Sequence, residues 1–105
     1  MTEDISAFIQ RLEENPNNKF ARFHLGQAYF AKGDYGNALV QFNACVEASE
    51  EWMMAHLYLA KAYLGLNQRG DATRHLERTI RLAEEQNHED PLDEARSLLE
   101  ECRLD

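Results

Sequence analysis

A chain of 105 residues with 19 acidic and 11 basic side chains, formal charge −8, is long enough for one domain and too short for two. The acidic excess repels phosphate backbones and argues against nucleic-acid binding, and no apolar run approaches the ~18 residues of a membrane span. The start, Met1-Thr2-Glu3-Asp4-Ile5, lacks the basic flank and apolar stretch of a secretory signal, which points to a cytoplasmic protein.

Helical spacing dominates, and strand signals are absent. The first helix is expected from about Glu3 to Glu14, with Thr2 as a candidate cap and Ile5, Phe8, Ile9 and Leu12 as its apolar stripe. Asn15-Pro16-Asn17-Asn18 stops it. A second helix follows from about Asn18 to Ala31, closed at Lys32-Gly33-Asp34, where glycine can take the left-handed conformation. The third runs from about Tyr35 to Ala48. Ser49 then reads as the cap of a fourth helix, about Glu51 to Gly65, with Glu50 and Glu51 at its positive end. After Leu66-Asn67-Gln68 a longer helix spans about Arg69 to Gln86. Asn87-His88-Glu89-Asp90 is a loop, and Asp90-Pro91 starts a last helix reaching about Arg103.

A block of this chain matches itself at a shift of 34 residues. Leu25-Gly26-x-Ala28-Tyr29 falls on Leu59-Ala60-x-Ala62-Tyr63, and Ala21, Ala38, Phe42 and Val46 fall on Ala55, Ala72, Leu76 and Ile80. A period of this length signals stacked supersecondary units, each unable to bury its apolar face alone. The pattern also extends backward, because Ile5, Phe8 and Leu12 precede Leu39, Phe42 and Val46 by the same interval.

The spacing Leu25-Gly26-x-x-Tyr29 with Ala38-x-x-x-Phe42, repeated as Leu59-Ala60-x-x-Tyr63 with Ala72-x-x-x-Leu76, resembles the tetratricopeptide repeat. Arg22 and His56 stand where that family usually has tryptophan, and Glu50 and Glu84 where it has proline. The resemblance implies an all-α fold, a right-handed α-solenoid of two tetratricopeptide-type hairpins flanked by one extra helix at each end. Its units are a half repeat (1–18), repeat 1 (19–52), repeat 2 (53–86) and a capping helix (87–105). Small residues at Gly26 and Ala60 meet small residues at Ala38 and Ala72, so that paired helices approach closely.

The resemblance also implies a function, a non-catalytic scaffold or adaptor that binds protein. Family ligands lie in a concave groove lined by the first helix of each repeat, which here carries Phe20, Phe23, Gln27, Phe30, Met54, Leu57, Lys61 and Leu64. Six of these eight are large and apolar, which suits an apolar peptide or amphipathic helix of a partner protein. A second copy of the chain, forming a homodimer, is the alternative occupant. Family members that clamp the acidic C-terminus of heat-shock chaperones use lysine, asparagine and arginine where this chain has Phe23, Gln27 and Tyr58, so that clamp is absent.

Nothing in the sequence assembles a catalytic site, and no cofactor or metal is expected. There is no phosphate loop or dinucleotide turn, and no nucleophile with its base. Cys45 and Cys102 match no metal spacing and read as small apolar side chains. None of His24, His56, His75 and His88 lies three or four residues from another histidine or a cysteine; His24 and His56, on successive similar helices, are the two that could meet. Arg74, Arg78 and Arg81 share a helical face with Glu77 and Glu84 at pairing distance, which reads as a salt-bridged convex surface. From Glu84 onward nine acids face two bases, Arg96 and Arg103; this is either a solvated helical face or a docking surface for a basic segment.

Overall fold

The computed structural model describes residues 5–103, so the expectations at Thr2, Glu3 and Asp4 lie outside it. The described residues form six helices: α1 (Ile5–Glu14), α2 (Lys19–Ala31), α3 (Tyr35–Ala48), α4 (Met53–Gly65), α5 (Arg69–Gln86) and α6 (Glu89–Arg103). Each packs chiefly on its chain neighbours. The pairs α2–α3 and α4–α5 are hairpins stacked side by side, with α1 against α2 at one end and α6 against α5 and the edge of α4 at the other.

The 34-residue period is a burial pattern. Leu25 and Leu59 are 3% and 0% exposed, and Ala38, Ala72, Phe42 and Leu76 are all fully enclosed. Cys45 and Thr79, one period apart, are equally buried. The Thr79 hydroxyl donates to the His75 carbonyl at 2.8 Å, which satisfies it inside the helix. The Cys45 thiol has no such outlet and burial pushes its pKa up to about 11, so it stays neutral and packs as an apolar group.

The turn inside each hairpin repeats as closely as the core. Gly33 and Asn67 both take left-handed backbone conformations, at φ 78° and 60°. The Asp34 amide donates to the Tyr29 carbonyl at 2.9 Å, and the Gln68 amide to the Tyr63 carbonyl at 2.8 Å. Asparagine tolerates this region because its short polar side chain is the least penalised after glycine. Asn18 caps α2 through Ala21 and Asp34 caps α3 through Asn37.

Two boundaries differ from expectation. Ser49 ends α3 instead of starting α4, with its amide on the Cys45 carbonyl at 2.9 Å. Glu50 and Glu51 therefore lie in the connection, and α4 begins after Trp52, an N-cap residue without a side-chain capping bond. The last helix begins at Glu89, two residues before Pro91, because proline fits anywhere in a first turn whose amides lack partners.

Gly36, in the first turn of α3, has nothing within 4 Å of where a Cβ would stand. Gly36→Ala should therefore stabilise the chain by about 0.4–1 kcal/mol, through the unfolded state. A higher urea midpoint at unchanged slope would show it.

Candidate partner-binding groove

The face of α2 carrying Phe20, Phe23, Gln27 and Phe30 lies beside α4, and an aromatic wall forms where the two meet. Phe23 is its centre: its ring stacks on Trp52 at 5.0 Å and meets Phe42 and Tyr58 edge-on at 5.6 and 5.7 Å. Phe30 meets Tyr58 edge-on at 5.6 Å and Tyr35 at 5.4 Å. Phe20 sits at the outer edge, 5.7 Å from Trp52, and is 62% exposed. Edge-to-face and offset contacts of this kind add roughly 0.5–1.5 kcal/mol per pair beyond area burial.

Two lysines border the aromatics. Lys19 Nζ lies over the Phe20 and Trp52 rings at 5.7 and 5.8 Å. Lys61 Nζ lies over Tyr58 at 5.0 Å and pairs with Glu94 of α6 at 2.5 Å. Gln27 is half-buried between them in sequence.

The remaining expected groove residues are placed differently. Leu57 is fully enclosed, in one cluster with Ala60, Leu76, Ala95 and Leu99, so it is core beneath α6 and lines no open surface. Met54 is half-buried and packs against the same cluster. Leu64 borders a recess of about 280 Å³ with Asn67, Arg69, Glu101 and Cys102. The reason is that α6 packs on α5 and the edge of α4, and its apolar face Ala95, Leu98, Leu99 and Cys102 closes over Leu57, Ala60 and Leu76. Phe23, one period before Leu57, is half-buried against Phe42, Trp52 and Tyr58, and the exposed neighbour at this end is Phe20.

Trp52 was not singled out from the sequence, although its position offered a signal. It is the single tryptophan, placed immediately before a helix where a small polar cap is favoured. An aromatic there gives up the cap and requires a packing role instead.

The histidines also regroup. His24 is exposed and lies near Phe8 and Phe23, at 5.8 and 6.2 Å, instead of meeting His56. His56 pairs with His75 across α4 and α5, Nδ1 to Nδ1 at 3.1 Å, and its Nε2 is 2.9 Å from the Glu50 carbonyl oxygen. Tyr63 stacks on His75 at 5.7 Å. Burial holds His56 below the ordinary imidazole value, and burial with the neighbouring ring holds His75 at about 4. Among the described residues no three His, Cys, Asp or Glu side chains gather as a metal ion would require.

Arg74, Arg78 and Glu84 find other partners than those expected. Arg74 pairs with Asp71 at 2.5 Å, Arg78 Nε lies 3.5 Å from Glu50 Oε1, and Glu84 turns to Arg96 of α6 at 3.1 Å. These exposed or half-exposed pairs contribute little individually, about 0–1 kcal/mol each. No helix among the described residues is long and apolar enough to cross a membrane.

No family model matches the sequence, and no curated protein matches it. Solved structures do. A protein of Bordetella parapertussis is 20% identical at a TM-score of 0.84, over 97% of this chain and 89% of that one. The first tetratricopeptide domain of Spaghetti (RPAP3), solved with the HSP90 peptide SRMEEVD, is 18% identical at 0.82, over 93% and 73%. A tetratricopeptide repeat domain protein from Salinibacter ruber is 24% identical at 0.76, over 87% and 93%. With its two stacked hairpins, their shared period and these likenesses, the chain has the tetratricopeptide-repeat fold.

Proposed function

We propose that this chain is a non-catalytic protein-interaction module whose aromatic wall takes an apolar segment of a partner. The observation that carries the reading is Phe20, a large apolar side chain left 62% exposed against Trp52, with Phe23 seated behind it. A contiguous apolar surface at the edge of an aromatic cluster suits partner binding, and large aromatics are enriched among the residues that carry binding energy. Peptide binding by the RPAP3 domain supports the reading at the level of fold. The lining differs in kind: Phe23, Gln27 and Tyr58 supply no cation, Lys61 is already held by Glu94, and Lys19 lies over the Phe20 and Trp52 rings at the outer edge.

The proposed site is Phe20, Phe23, Gln27 and Phe30 with Trp52 and Tyr58, bordered by Lys19 and Lys61; Met54 and Leu64 lie at its margin. Peptides selected from a random library on the intact chain should share large apolar residues. Phe20→Ala should weaken their binding about tenfold. Its melting temperature should stay near that of the parent, since the side chain is mostly in water. Selected peptides that bind Phe20→Ala and Phe20→Asp as tightly as the parent would remove the wall from the site. Self-association through the same aromatics is the competing use, and mass measured across a concentration series separates the two.

A further inference from the structure

The hydrogen bonds around His56 determine where its proton sits. A carbonyl oxygen accepts only, so His56 Nε2, 2.9 Å from the Glu50 oxygen, carries the hydrogen. In the neutral ring Nδ1 is then the acceptor, and His75 Nδ1, 3.1 Å away, must donate to it. The result is a directed chain from His75 through His56 to Glu50, with opposite tautomers in the two rings. It ties α5 to the connection between α3 and α4.

That connection positions the wall. Glu50 is held by its carbonyl through His56, and its exposed carboxylate lies 3.5 Å from Arg78 Nε of α5 without a hydrogen bond. Two residues on, the Trp52 amide donates to the Ser49 carbonyl at 3.1 Å, and the indole is set against Phe23 and Phe20. The Trp52 carbonyl accepts from the Ala55 and His56 amides at 3.1 and 3.2 Å, while its side chain makes no capping bond, so the indole's seat depends on the path of the connection. We infer that the His56–His75 pair is an acid-sensitive latch: with both rings neutral it fastens the α3–α4 connection and seats Trp52 on Phe23, and proton uptake parts the rings and unseats Trp52.

The chemistry follows from counting hydrogens. One added proton can be shared as N–H⁺···N between the rings; a second places N–H against N–H at 3.1 Å with two positive charges, and the contact must open. The groups facing the pair are Glu50 from the connection, Tyr63 from α4, and Asp71, Arg74 and Arg78 from α5. Two cations against two carboxylates leave no net negative charge there to stabilise a doubly protonated pair. Rings freed to water, in an opened latch as in the unfolded chain, take up protons as the pH falls through about 6.5, whereas the closed pair resists uptake, for His75 until about 4. The stabilisation is therefore present above pH 6.5 or so and is lost as the pH falls towards 4. The latch stands whether or not the wall binds a partner.

Trp52, being the single tryptophan, reports its own seating. Fluorescence of the intact chain, titrated downward from pH 8, should show a red shift with a midpoint between about 6.5 and 4 while far-ultraviolet circular dichroism keeps its helical signal. In H56Q/H75Q the shift in that window should vanish. An emission that holds until the helices melt, or a double variant with the parent's shift and midpoint, would overturn the latch. Should the double variant fail to fold, imidazole nitrogen NMR of the parent at pH 7.5 decides. A bare Nδ1 on His56 opposite a protonated Nδ1 on His75 supports the directed chain, and any other pair of tautomers refutes it.

Discussion

Leu57→Glu should unfold the protein instead of merely blocking a groove. Leu57 is fully enclosed between Leu76 of α5 and Ala95 and Leu99 of α6, with Ala60 on its own helix. Removing the leucine costs about 2–5 kcal/mol in lost transfer and packing. A carboxylate in its place must also be desolvated without a partner or be held protonated, and the sum approaches or exceeds the ~5–15 kcal/mol that holds typical domains together. The expected result is a chain with little helical signal at 25 °C, while Phe20→Glu, at an exposed position one helix away, melts as the parent does. A well-folded Leu57→Glu with the parent's melting temperature would mean that α6 does not sit over α4 and that the groove runs on through repeat 2.

The second large effect lies at the crossing of α2 and α3. A Cβ on Gly26 would stand 2.6 Å from Phe42 Cε1 and 2.9 Å from Cδ1 and Cζ. Phe42 has nowhere to go, because its ring is fully buried, stacked on Tyr58 at 5.3 Å and abutted by Phe23. Gly26→Ala should therefore destabilise by about 1–3 kcal/mol from overpacking, less the ~1 kcal/mol that alanine gains over glycine in a helix. The second repeat shows the remedy: there Ala60 is paired with the smaller Leu76, and both are fully buried. Gly26→Ala with Phe42→Leu should recover much of the loss, giving a favourable coupling of about 1 kcal/mol or more in a double-mutant cycle. Strictly additive single effects would show that the two side chains do not share the space.

The core was legible because burial follows the 34-residue period: Leu25 with Leu59, Ala38 with Ala72 and Phe42 with Leu76 are equivalent in sequence and in solvent exposure. The hairpin turns were legible at Gly33, whose residue type favours a left-handed backbone, and less so at Asn67. The groove was only partly legible. Periodicity treats Phe23 and Leu57 alike, but it is silent about what an end helix covers, and α6 departs from the period. Hence Leu57 is core while Phe23 stays half-buried behind the exposed Phe20. The His56–His75 contact escaped for a related reason, since it joins helices at positions one-helix spacing rules do not connect. Trp52 escaped because the connection between repeats was assigned to helix capping at Ser49.

The order of the helices along the stack has one more implication. Every helix rests on its immediate neighbours, and α1 and α6 are separated by the whole array. Changes at the two extremities should sum without cross-talk, so each end can be re-engineered independently of the other. Such short-range connectivity also means that folding closes few long loops, which favours speed over the slow searches of sheet proteins.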